Sequence, residues 1–253
     1  MLNVVRFEQR CCASTEEITD NVTATLSRGY EGLTDYLNGP NEVCSIVGSG
    51  PSVTDTYQDL RGHVLAINSA HGFLIDRKIT PHMAMFWDAS PLVAEFAVPN
   101  PDTVYLVASR CHPYVFDRLS GCRVIVWFAS GDPGIKELLQ KRLINEPMIL
   151  GVSAGVTRAM FLMYALGYRT LHVYGADSSY SGDKTHVQGS LAKEGDLKVW
   201  LDPEGRGKAW RTTPEMMIQT REHRKIVPMF KRLGASIEVH GSGMLPEVHR
   251  SIA

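Results

Sequence analysis

The stretch Cys44-Ser-Ile-Val-Gly-Ser-Gly-Pro-Ser-Val-Thr-Asp55 decides the fold. Four residues with strand propensity run into Gly48-Ser49-Gly50, and a helix start follows at Pro51-Ser52. Glycines at the end of a strand permit positive φ and close backbone approach. Proline suits a first helical position because it lacks only an N–H that has no partner there. A strand, a glycine turn and a helix in this order make an α/β unit whose turn presents backbone N–H groups to an anion. A tight turn without a ligand accounts for the same residues.

Working outward, further apolar runs recur at Val43–Val47, His63–Ile67, Met83–Trp87, Thr103–Val107, Arg123–Phe128, Leu171–Tyr174 and Ser236–Val239. Helix-sized segments separate most of them. Continuous Val/Ile/Leu runs of this kind indicate a doubly wound, mostly parallel sheet covered on both faces. The expectation is one Rossmann-like α/β domain over 40–253, preceded by a helical extension within 1–39. The extension's helix is expected over 15–38, capped by Ser14 or Thr15. The region 178–213 shows no clear period and reads as one long loop, of the length often used for function.

Composition narrows the class. The 253 residues are 44% hydrophobic and 21% charged, with 26 basic residues against 27 acidic ones. A net charge of −1 supplies no bulk field toward nucleic acid or an anionic membrane. No apolar run approaches the roughly 20 residues a bilayer span needs. The start, MLNVVRFEQRCC, is too polar for a secretory signal. Five cysteines, two of them adjacent at Cys11-Cys12, do not form a disulfide framework, so a cytoplasmic location is expected. A zinc site is not expected, because no C-x-x-C pair occurs and Cys111-His112 has no companion pair.

A dinucleotide-binding dehydrogenase is excluded by two features. The third glycine of G-x-G-x-x-G is replaced by Val53, and the ribose-holding acid expected about 20 residues on is Asn68. Asn68 and Ser69 can hold a ribose, base or phosphate through neutral hydrogen bonds; Asn68 as a helix cap is the alternative. A second cluster, Gly151, Ser153 and Gly155, opens a helix that is apolar nearly all round and ends at Gly167. The next strand ends at Gly175-Ala176-Asp177. Two such helix starts facing one cleft would suit a nucleotide with several phosphates, with close helix packing as the competing explanation.

The segments IVGSGPS, INSA, ITPHMAMFWDASP and GVSAGVTRAMFLMYALGYRTLHVYGADSSYSGDKTHVQG resemble the MptE-like 6-hydroxymethylpterin diphosphokinase family. They are also similar to motility accessory factors and, more distantly, to bacterial sialyltransferases that use CMP-sugars. The resemblance covers roughly residues 40–240. It implies a nucleotide-dependent transferase, with diphosphoryl transfer from ATP to a hydroxymethyl acceptor as the first reading. Transfer from a CMP- or other nucleotide-activated sugar is the alternative, and a non-catalytic nucleotide-binding module is the third.

The resemblance places nucleotide on Gly48, Ser49, Gly50, Pro51, Ser52, Asn68 and Ser69. Asp88 and Asp177, each read as ending a strand, are the expected catalytic carboxylates and Mg²⁺ ligands, with turn capping as the alternative. His186 is the expected general base, with a solvated loop histidine as the alternative. The sialyltransferase comparison weakens that role, because LKVWLDPEGRGKAWRTTPE holds no histidine before the last helix. Lys184, Arg206, Lys208 and Arg211 are candidate phosphate clamps, and Trp200 and Trp210 candidate ring-stacking residues. The expected partners are a nucleotide and a small-molecule acceptor, with no membrane; self-association is left open.

Overall fold

The structure is a computed structural model, which describes residues 13–39, 41–131, 134–151, 153–187 and 198–252. Helix α1 (Thr15–Leu26) opens with a capping box: the Glu17 amide donates to the Ser14 hydroxyl and the Ser14 amide to the Glu17 carboxylate. The helix stops twelve residues before the expected end at 38, in a turn where Gly29 takes φ +67°. Two residues of strand follow, β1 (Glu31–Gly32). From the stretch read as an extension, Ile18, Val22 and Leu33 pack into the main core. Cys11 and Cys12 lie outside the described residues.

The repeating part then begins. It runs β2 (Val43–Val47), α2 (Val53–Thr56), β3 (His63–Ile67), α3 (Ala70–Ile75), β4 (Met83–Phe86), β5 (Val104–Ala108), α4 (Pro113–Arg118) and β6 (Val124–Ala129). After it come α5 (Ile135–Lys141), β7 (Met148–Ile149), α6 (Gly155–Ala165) and β8 (Thr170–Tyr174). A hairpin of β9 (Val199–Leu201) and β10 (Trp210–Thr212) precedes α7 (Pro214–Arg232), β11 (Ser236–Val239) and α8 (Met244–Ile252). All seven strands expected from apolar runs are present, within a residue at most ends.

Nine strands form one parallel sheet in the order β1-β6-β5-β4-β3-β2-β8-β11, with β7 added to β6. Neighbouring residues on a strand face opposite layers. Ile46 and Leu65 therefore enter the larger core, whereas Val47 and Ala66 pack with Val53, Phe73 and Leu74 on the other face. Burying each such Leu, Ile, Val or Phe side chain is worth about 1.5–3 kcal/mol relative to exposure. Both faces being covered is what makes the strands apolar throughout; β6 is buried at all six positions.

The region 178–213 is not one loop. The β9–β10 hairpin pairs Leu201 with Trp210, and an isolated bridge joins Ser181 to Lys184. Residues 188–197 lie outside those described. Helix α7 begins as its sequence directs, with the Thr213 hydroxyl accepting from the Met216 amide and Pro214 at the first position. The helix runs through the exposed Pro228 to Arg232. Among the described residues, no helix is long and apolar enough to cross a membrane.

Candidate functional site

The strand order reverses at β2. Chain progression runs through β3 to β6 on one side of it, while β8 and β11 lie on the other. Ligands of open α/β sheets bind in the crevice outside the strand ends at such a reversal. Here that crevice lies between Gly48, after β2, and Gly175, after β8.

The glycines make it a seam of backbone against backbone. The Gly48 amide donates to the Tyr174 carbonyl at 2.8 Å and the Gly50 amide to the Gly175 carbonyl at 2.8 Å. A Cβ on Gly50 would lie 2.7 Å from that carbonyl oxygen and 2.9 Å from the Asp177 carboxyl carbon. A third glycine pair follows β11, in the segment His-Gly-Ser-Gly-Met (240–244). A Cβ on Gly241 would lie 2.3 Å from the Ser52 hydroxyl, and one on Gly243 would lie 2.5 Å from the Asp177 Cα. The turns after β2, β8 and β11 thus meet at one place.

Asp177 fills the middle of this junction. Its Oδ2 accepts from the Ser52 amide at 2.7 Å, and its Oδ1 accepts from the Ser52 hydroxyl. The residue is 5% exposed. Burial raises its pKa above the ordinary carboxylate value, and the two Ser52 hydrogen bonds oppose that shift. The Ser52 groups expected to hold a phosphate are therefore engaged by the chain's own carboxylate. Pro51 also falls outside the helix: α2 starts at Val53, has only four residues, and receives no side-chain cap from Ser52.

The second glycine cluster is arranged similarly. The Ser153 amide and hydroxyl both donate to Glu222 Oε2 of α7, at 3.1 and 2.5 Å. Gly151 gives room to a guanidinium, since its Cβ would lie 2.1 Å from Arg158 Cζ. Gly155 abuts the Trp87 indole, whose Nε1 would be 3.0 Å from an added Cβ. Arg158 and Arg110, both buried, place their guanidinium carbons 4.7 and 5.4 Å from the Trp87 ring centre.

One cleft collects Gly48, Ser49, Gly50, Asn68, Trp87, Gly155, Asp177, His186 and His223. Asn68 is held at φ +47°, an uncommon state for a residue with a side chain. Its amide donates to the Met85 carbonyl, and its buried Oδ1 has no hydrogen-bond partner among the described residues. The oxygen is shielded from solvent, so it meets a ligand's donor in the cleft only once the side chain turns outward.

His186 is half-buried. Its Nδ1 lies 2.9 Å from the Thr185 hydroxyl, which leaves Nε2 as the nitrogen for proton exchange with a ligand. Desolvation lowers its pKa, so the ring is neutral near pH 7. His223 is 1% exposed, and burial, aided by His249 at 3.1 Å, pushes its pKa to about 3. A second cleft adjoins the first through Asp177 and His186; it takes in Pro51, Ser52, Asp55, Tyr180, Lys184 and Trp210.

Other expected residues sit apart. Asp88 lines neither cleft; its Oδ1 accepts from the Ser90 amide and holds a turn. Ser69, Gly151 and Ser153 likewise line neither. Asp177 thus lines both clefts and accepts one Ser52 hydrogen bond on each oxygen, whereas Asp88 lines neither. Trp200 is 73% exposed and away from both clefts, whereas Trp87 is the aromatic wall of the first. Lys208 is paired with Glu247 and Arg211 with Asp183. Trp87 could have been found from its position at the end of a central strand; Glu222 carries no comparable signal.

These features define a Rossmann-like α/β protein with its cleft at the point where strand order reverses. The chain belongs to the 6-hydroxymethylpterin diphosphokinase MptE-like family, whose model matches residues 16–183. Its fold is similar to that of the MAf glycosyltransferase from Magnetospirillum magneticum AMB-1, with a TM-score of 0.56 and 18% identity. That likeness covers 90% of this chain and 37% of the glycosyltransferase, so the chain spans little more than a third of it. At this identity the likeness shows the fold alone. No curated protein matches the sequence.

Proposed function

We propose that the protein is a nucleotide-dependent transferase that moves a diphosphoryl group from ATP to the hydroxymethyl oxygen of a small acceptor. The observation that carries the reading is Asn68. Asn68, at positive φ and with a shielded, unpaired Oδ1, stands beside Gly48–Gly50 on a wall shared with Asp177 and His186, and receives a ligand once its side chain turns outward. The nucleotide occupies this first cleft, with its base or ribose donating to Asn68 and its ring system against Trp87. The acceptor enters the adjoining cleft, bordered by Lys184 and Trp210.

In the proposed reaction the acceptor oxygen attacks the β-phosphorus of ATP. The bond from that phosphorus to the α–β bridging oxygen breaks, and AMP leaves with the electron pair. The acceptor's proton passes to neutral His186 Nε2. Asp177 fixes Ser52 and the turn that separates the clefts. Magnesium ordinarily neutralises phosphate charge in such chemistry; because Asp88 stands off the clefts, it is proposed to arrive with the nucleotide.

The position of Asp88 off both clefts favours a second reading, glycosyl transfer from a nucleotide-activated sugar without a protein-held metal. A thermal-shift panel of ATP, GTP, CTP, CMP and UDP, each with and without Mg²⁺, separates the two. A ligand at a hundred times its dissociation constant stabilises by about 2.7 kcal/mol. A shift with ATP, together with AMP release that depends on a hydroxymethylpterin, supports diphosphoryl transfer. A metal-independent shift with CMP or UDP alone supports glycosyl transfer. Binding without turnover on any donor–acceptor pair reduces the protein to a nucleotide-binding module.

A further inference from the structure

Three side chains converge away from the clefts, on the last two strands of the sheet. His172 lies on β8, and Glu238 lies directly opposite it on β11. His240 follows two residues later, so the strand period places it on the same face as Glu238. Its amide donates to the Val173 carbonyl at 2.8 Å, which holds this end of the chain against β8. The Tyr174 ring stacks on His240 with centroids 4.3 Å apart and planes 8° from parallel. Tyr174 is itself fixed by its hydroxyl, which donates to the Asp59 carbonyl at 2.8 Å.

The three polar atoms cannot all be satisfied by hydrogen bonds to one another. His172 Nδ1 is 3.0 Å from His240 Nε2 and 2.9 Å from Glu238 Oε2, and the last two atoms are 3.8 Å apart. A ring nitrogen carries either one proton or one lone pair. With the proton, His172 Nδ1 serves one neighbour well and not both. Without it, the nitrogen faces a carboxylate oxygen with lone pair against lone pair. A cation at the centre is served by all three atoms at once.

The spacing also fits a particular class of cation. Bonds of 2.0–2.1 Å in tetrahedral geometry set donor atoms about 3.3 Å apart, and the observed distances straddle that value. Two imidazoles and one carboxylate suit zinc and its first-row neighbours rather than magnesium or calcium. Arg61 and Asp59 act on the cluster with opposite charge, and His249 of α8 lies near enough to feel it.

We propose that His172, Glu238 and His240 form a structural site for a divalent transition metal, Zn²⁺ first, whose fourth position is open to water. The side chain of His172 is 7% exposed, that of His240 24% and that of Glu238 62%, so a metal enters from the Glu238 side. The ion fastens edge strand β11 to β8. It also steadies the turn that begins at Gly241 and presses on Ser52 and Asp177. The site stands whether or not the proposed reaction is right, because it uses none of the cleft residues.

The test uses tag-free full-length protein titrated with Co²⁺, whose visible absorption reports tetrahedral coordination, followed by displacement with Zn²⁺. The expected result is one saturable equivalent, displaced by Zn²⁺, and a higher melting temperature with Zn²⁺ than with EDTA. Glu238→Gln and His240→Ala, both at accessible positions, should fold and weaken binding by more than about tenfold, the loss that even an outer-shell change causes. His112→Asn, a histidine elsewhere in the molecule, should bind like the parent. Failure to reach one equivalent, or unchanged affinity in both Glu238→Gln and His240→Ala, overturns the proposal.

Discussion

The turn at Ser52 and the turn at Ser153 each present a serine amide and hydroxyl to a carboxylate from elsewhere in the chain. At Ser52 the partner is Asp177, a short side chain at a strand end. It is 5% exposed, uses both oxygens and is walled in by Gly50, Gly241 and Gly243. At Ser153 the partner is Glu222, a longer side chain on α7, partly exposed, using one oxygen for both bonds. The first arrangement is built into the backbone junction. The second can be undone by a rotamer change, which would free the Ser153 amide for another anion. Similar residue types can therefore make a fixed strut in one place and a displaceable latch in another.

The comparison can be tested from its strongest element downward. Gly50→Val should destabilise the protein by about 3 kcal/mol or more, because its Cβ meets backbone that cannot move aside. Urea unfolding measures this, and a wild-type midpoint would show that the seam is loose. At Asp177 two replacements should part. Asp177→Ala leaves the Ser52 amide and hydroxyl unpaired and should cost about 2–3 kcal/mol. Asp177→Asn can accept from the amide and donate to the hydroxyl, so it should stay within about 1 kcal/mol of wild type. Equal losses in the two would mean that charge, not hydrogen bonding, holds the strut.

The α7 side should also yield first to acid. His223 follows Glu222, and its pKa is about 3 in the fold against an ordinary value of 6.5. A depressed histidine pKa means that the unfolded chain binds the extra proton. The stability contributed is complete above pH 6.5 and is lost as pH falls toward 3. By pH 5 the loss is about 2 kcal/mol for this group alone. Urea midpoints between pH 8 and pH 4 should show that slope, and His223→Gln should flatten it. The smallest effect is expected at Glu222→Ala, below about 1 kcal/mol in stability. If Glu222 is a latch, this variant should bind a nucleotide or inorganic phosphate more tightly in a calorimetric titration. Weaker binding would make Glu222 part of the binding wall instead.

Much of the fold was legible because burial on both faces leaves continuous apolar runs, as in Val43–Val47 and Val124–Ala129. The parts that were not legible are short or depend on distant partners. Strands β1 and β7 have two residues each and exist only through pairing with β6. Helix α8 is only nine residues long and carries Pro246 in its first turn. Within the cleft, Gly48, Gly50, Asn68, Gly155 and Asp177 could be placed from strand ends and glycine turns, and His186 only as a residue of the following loop. What those groups bind could not be. Whether a glycine admits a phosphate or another turn depends on contacts between residues 48, 175 and 241, and the same local sequence serves either. The His172–Glu238–His240 cluster was hidden for that reason too, since its halves lie more than sixty residues apart.

The meeting of three distant turns around Asp177 has a consequence for the order of events in folding. Contacts between segments so far apart in sequence close late, because the intervening chain must first be ordered. A partly assembled molecule can hold β2 through β6 in register and still have no pocket. On the proposed reading, the cleft is complete only once the C-terminal segment has docked, and a bound nucleotide would report on completion of that step.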